Sequence, residues 1–97
     1  MWNYDNLIAH VQAAIQSRGG RIVRYDAAGD LDREDLIEAM HLLGWDHVGG
    51  RPTVDFSYIT SFRPRDGGEL VTGEAHSSQR SLYEAIVTAL EGASVHE

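Results

Sequence analysis

The chain has 97 residues, 42% hydrophobic and 24% charged, with fifteen acids against eight bases and no cysteine. Such a length and composition suit one globular domain with a core, not a disordered or membrane-embedded chain. Disulfides, thiol nucleophiles and thiolate zinc sites are excluded; all eight bases are arginine, which removes lysine chemistry; and a net charge of −7 opposes a general grip on nucleic-acid phosphates.

The expectation is one α+β domain over residues 1–97. It is placed in the cytoplasm because Met1–Asp5 lacks a basic leader and no apolar run reaches the roughly 20 residues of a membrane span.

In chain order, Tyr4, Leu7, Ile8, Val11, Ala14 and Ile15 share one helical face, predicting a helix over 4–18. Asn3 caps it, Trp2 staples onto Leu7, and Gly19-Gly20 stops it. Residues 21–25, Arg-Ile-Val-Arg-Tyr, read as a short strand. After a turn over Asp26–Asp30, Asp32 caps a second helix that buries Leu36, Ile37, Met40 and Leu43 and stops at Gly44.

Residues 45–52 read as loop. A long hairpin follows over 53–77, with Val54, Phe56, Tyr58 and Phe62 on one face and Asp66-Gly67 as its turn. That turn sets Phe62 opposite Val71, Thr60 opposite Gly73 and Tyr58 opposite Ala75. A capping box at Ser81–Glu84, or a cap at Ser77 or Ser78 one turn earlier, opens a last helix with Leu82, Ala85, Ile86, Ala89 and Leu90 inward and Gly92 at its end. The predicted order is α-β-α-β-β-α, with a small, mainly antiparallel sheet packed by three amphipathic helices.

Charge is unevenly spread. Residues 26–38 carry Asp26, Asp30, Asp32, Glu34, Asp35 and Glu38 against Arg33 alone. The stretch resembles a calcium loop only superficially, because Leu31 and Ile37 occupy the positions that need Gly and the bidentate Glu. One or two carboxylates suffice to cap a helix; the remainder reads either as a solvated face or as a surface aimed at a basic protein partner, and the six form the candidate contact.

The remaining candidates are weaker. His41, Asp46 and His47 lie near each other and offer an alternative metal site, and His76 beside Ser77, Ser78 and Ser81 an alternative hydrolase site. Neither spacing is that of a known motif, so no catalytic residue, metal or cofactor is assigned. Gly19-Gly20, Gly49-Gly50 and Gly67-Gly68 read as stops and turns rather than phosphate loops. Arg51, Arg63 and Arg65 near Tyr58 and Phe62 are read as charges that keep strand edges apart, not as a nucleic-acid contact. Leu42, Trp45 and Ile59 fit no inward stripe, like Val87; they are assigned to a second buried surface, through helices on both sides of the sheet or a homodimer interface.

The segment Val54–Leu90, with Thr72–Ser78 (TGEAHSS) leading into Ser81–Leu90 (SLYEAIVTAL), resembles small phage-encoded αβα-sandwich proteins. In size, acidity and lack of cysteine the chain also looks like the host-defence inhibitors of mobile elements, of the anti-CRISPR type. That resemblance implies a stoichiometric inhibitor whose acidic surface blocks a basic, nucleic-acid-handling partner, without catalysis and without a membrane or direct nucleic-acid ligand. The alternatives are a self-assembling structural or regulatory module and the small hydrolase above.

Overall fold

In the computed structural model, which describes residues 3–92, the elements are α1 (Tyr4–Ser17), α2 (Arg33–Leu42), β1 (Trp45–Pro52), β2 (Tyr58–Pro64), β3 (Val71–Ala75) and α3 (Ser78–Glu91). The three strands form one antiparallel sheet in the order β1-β2-β3. This is a small α+β fold.

The helix starts are those the cap residues dictate. Asn3 accepts the Asn6 amide, Asp32 that of Asp35, and Ser77 that of Arg80. α1 buries Leu7, Ile8, Val11, Ala14 and Ile15. The proposed staple involves Trp2, which lies outside the described residues. α2 buries Leu36, Ala39 and Met40, with Ile37 and Leu43 half-buried at the edge of the core. Gly44 follows α2 at φ 96° and Gly92 ends α3 at φ 70°, conformations that cost a glycine little.

Two elements differ from the sequence expectation. Residues 21–25 add no strand to the sheet; apart from a single bridge between Tyr25 and Leu31 they are irregular. The reason is local satisfaction of the backbone. The Gln12 side-chain amide brackets Val23, accepting from its N–H and donating to its carbonyl, both at 2.9 Å. With Val23 fully buried and so paired, neither Ile22 nor Tyr25, both exposed, needs a strand neighbour.

Conversely, residues 45–52 are not loop but β1. A bulge between His47 and Gly49, where Gly49 adopts φ 146°, lets the glycine-rich run follow β2. Pro52 is tolerated because it ends an edge strand. The β2–β3 register is as expected, Phe62 opposite Val71, Thr60 opposite Gly73 and Tyr58 opposite Ala75. The connection is longer than two residues, however: a turn closed by the Gly67 amide on the Pro64 carbonyl at 3.1 Å, then irregular chain to Val71.

α3 lies on the inner sheet face so closely that a Cβ on Gly73 would stand 2.3 Å from the Ala85 nitrogen and 2.6 Å from the Ser81 carbonyl oxygen. α1 packs on α3, and α2 on β1. From Ser81 to Val87 every residue of α3 is buried, so it is a central helix rather than an amphipathic cover. This accounts for Val87, which joins the core, while Trp45 is half-buried and packs against the core's edge. The outer sheet face carries no helix among the described residues. Gly73→Ala should therefore destabilise by about 3 kcal/mol or more, since backbone must move to admit one methyl group; equal-volume changes at exposed Thr72 should be near neutral in the same denaturant titrations.

Candidate binding surface

The structure distributes the acidic stretch among internal partners. Asp26 accepts the amides of Ala28 and Asp30 at 2.9 and 3.1 Å, closing its own turn. Asp30 receives the hydroxyls of Tyr4 and, at 3.2 Å, Tyr83. Burial, then the bond to Asp30, raises the Tyr4 phenol above its ordinary range, and burial raises that of Tyr83. Asp32 caps α2.

Asp35, only 3% exposed, accepts the Arg24 amide at 2.9 Å and meets the Arg21 guanidinium at 2.5 Å. The Arg24 amide foremost, and Arg21 with it, hold its carboxyl below the ordinary range against the cost of burial. Glu38 pairs with Arg21 at 3.2 Å. Of the six, Glu34 alone has no partner among the described residues.

The histidines part company. His41 Nδ1 stands 3.0 Å from Asp46, and the Arg65 guanidinium lies on the same carboxylate at 3.2 Å while donating to the His41 carbonyl at 2.6 Å. Arg65, then His41, lowers the Asp46 carboxyl. A guanidinium thus occupies the place a cation would take. His47 faces the other way, packed against Phe62 with ring centroids 5.4 Å apart and the rings tilted by 59°, and its Nε2 is buried without a hydrogen bond. Burial, then the nearby charge of Arg33, depresses its pKa. Ser77 caps α3, Ser78 receives Arg33 at 3.4 Å, and Ser81 is buried against Thr60 at 2.6 Å. None of these hydroxyls is paired with exposed His76.

The outer sheet face and the β1–β2 turn form a different kind of surface. The outward residues Val48, Arg51, Ile59, Ser61, Leu70 and Thr72 line an open groove of about 490 Å³. Arg63 shares this face by strand alternation. Leu42 and Ile59 do not meet: Leu42 is exposed on α2, while Ile59 is on the groove floor.

Beyond the groove, residues 53–57 close β1 onto β2. The Thr53 amide donates to the Ser57 carbonyl at 2.8 Å, the Thr53 hydroxyl accepts the amides of Asp55 and Ser57, and the Ser57 hydroxyl donates to Glu74 at 2.7 Å. This framework thrusts Val54 and Phe56 outward, 95% and 91% exposed, with Phe56 at φ 62°. Neither side chain joins the inner hairpin face, where alternation had placed both. The misplacement follows from the missed strand: without β1 there was no reason to expect a turn at 53–57. The signal in the sequence was Thr53 and Ser57 flanking Asp55, hydroxyl and carboxylate residues suited to a side-chain-closed turn.

No protein-family model, characterised protein or solved structure matches the chain.

Two acid-sensitive groups have separable windows. His47, depressed in the fold, favours the native state while neutral, so its contribution falls as pH drops below the ordinary value of 6.5. Asp35, also depressed, contributes above its ordinary value of 3.8 and loses that contribution as pH falls through its lower folded value. In urea titrations across pH, His47→Gln should flatten the stability slope just below pH 6.5, and Asp35→Asn the slope below pH 3.8. Asp35→Ala should cost about 3 kcal/mol at neutral pH, because Arg21 and the Arg24 amide lose their buried acceptor.

Proposed function

We propose that this protein is a small binding module whose contact with its partner is the Val54–Phe56 tip. The observation that carries this reading is the state of Phe56: nearly fully exposed, in a left-handed backbone conformation, on a turn fixed by Thr53, Ser57 and Glu74. Holding a bulky residue there costs on the order of 1–3 kcal/mol, and within the folded chain Phe56 buries nothing in return. A pre-organised aromatic loses little freedom when it enters a pocket, which is the property of an interface anchor.

Asp55 stands between Val54 and Phe56, so the complementary pocket is apolar with a positive rim. The reading of the chain as a binding protein is kept in this form, with its contact moved from the acidic stretch to the tip and no basic target required beyond the positive rim of the pocket. Supporting that move, Asp26, Asp30, Asp32 and Asp35 are bonded within the fold, and a carboxylate so engaged gives up an internal bond to reach outward.

Affinity capture from a lysate of the source organism tests the assignment when three baits are compared. Val54→Ser with Phe56→Ser should reduce the protein captured by wild type at least about tenfold, a loss of roughly 1.4 kcal/mol or more. Glu34→Lys with Glu38→Lys should retain it. The reverse pattern would return the contact to the acidic stretch and overturn the proposal.

A further inference from the structure

We infer that the occupant of the outer groove is a second copy of this chain: the Val54–Phe56 tip of each protomer inserts into the Val48–Ile59–Leu70 groove of the other. The inference rests on the tip being a contact surface and adds the identity of what it contacts.

Three features argue for it. The first is complementarity of charge. Arg51 lines the groove and Arg63 lies on the same face, neither in an ion pair among the described residues, whereas Asp55 at the tip is likewise unpaired. The acids on that face, Glu74 and the Asp46 that pairs opposite Arg63, are already engaged, the first by Ser57 and the second by Arg65 and His41. An apolar tip carrying one negative charge thus meets a groove of apolar and hydroxyl side chains bordered by two positive charges.

The second feature is complementarity of form. Val48 on β1 and Leu70 just before β3 are about half exposed, at 50% and 47%, across the sheet near the level of Ser61, and Ile59 lies nearer the turn, beside Arg51, leaving an open depression rather than a filled one. Its volume of about 490 Å³ leaves room for a phenyl ring with a neighbouring isopropyl group to lie in it.

The third is topological. Tip and groove belong to the same hairpin. Arg51 pairs with Ile59 and Pro52 with Tyr58 right up to the turn, so the tip cannot fold back over its own groove without undoing that register. The contact therefore requires another molecule. Reciprocal exchange about a two-fold axis satisfies both tips and both grooves and closes the assembly as a dimer.

The test is a charge swap read by sedimentation equilibrium over a concentration series, with circular dichroism confirming that each variant is folded. Wild type should move from the mass of one chain to that of two as concentration rises. Asp55→Arg places like charges together in its own homodimer, and so does Arg51→Glu with Arg63→Glu; each should weaken dimerisation at least about tenfold. Mixed in equal amounts, the two variants should form a heterodimer with wild-type strength, since both contacts are again between opposite charges. Leu42→Ser, on the far side of α2, should leave dimerisation unchanged. A wild type that stays one chain at every concentration, or a mixture that fails to restore what the separate variants lose, overturns the inference. A monomer whose captured protein still depends on Val54 and Phe56 sinks this inference alone; capture indifferent to both sinks the function proposed above.

Discussion

The contact between Gly73 and the backbone of α3 governs most of this structure. Because no Cβ stands between β3 and the Ser81–Ala85 turn, the helix comes down onto the sheet at backbone distance, and α1 then closes over its other side. The middle of a helix enclosed in this way, Ser81–Val87, has no polar face turned to water. Its polar side chains must find partners inside. Ser81 meets Thr60, Glu84 meets Arg80 at 3.1 Å, and the Tyr83 hydroxyl accepts the Leu31 amide at 2.9 Å while it donates to Asp30. Gln79 adds a bond to the Leu31 carbonyl at 2.7 Å. These bonds anchor the irregular segment between α1 and α2 onto α3, so the position of one glycine in β3 determines where a distant acidic loop is held.

That arrangement changes what the acidity means. Counted along the chain, the charges of residues 26–38 form the densest patch. Placed in three dimensions, most of them cap, pair or accept hydrogen bonds. Asp35 illustrates the difference: buried, it draws in Arg21, which also reaches Glu38, and the three together lock residues 21–24 against α2. Such a cluster specifies geometry more than it adds stability, since desolvation offsets much of the attraction. A count of charges has no access to this, because the arginines that neutralise the patch lie 11 and 14 residues away in sequence from the carboxylate they meet.

Features fixed by neighbouring residues were legible in the sequence. Asn3, Asp32 and Gly44 mark helix ends through bonds that span a single turn, and the inner face of α1 follows from periodicity alone. The β2–β3 register was legible too, because moving it by one residue would expose Phe62 and bury Arg63. What escaped depends on partners remote in the chain. Residues 21–25 have strand composition, yet Gln12 supplies the bonds a strand would have sought. Residues 45–52 have loop composition, yet β2 supplies their pairing and the bulge absorbs their glycines. The exposed tip fell to the same cause: alternation from Val54 to Phe62 continues through a turn that interrupts the strand, and only the presence of β1 reveals the interruption.

One-sided layering leaves the outer sheet face to be accounted for. A flat sheet with open edges associates first through its edges, but here both edges are poorly suited to it. β1 bulges at Gly49 and ends in Arg51-Pro52, which offers a charge and no terminal amide; β3 is five residues long and alternates Thr72 and Glu74 outward. Edge pairing being discouraged, the apolar groove between Val48, Ile59 and Leu70 can be covered only from above. What covers it must be narrow, apolar and negatively charged, and the Val54-Asp55-Phe56 turn has each of those properties. The same sheet that admits α3 at Gly73 on its inner face thus carries, at the end of one hairpin, both halves of a contact on its outer face.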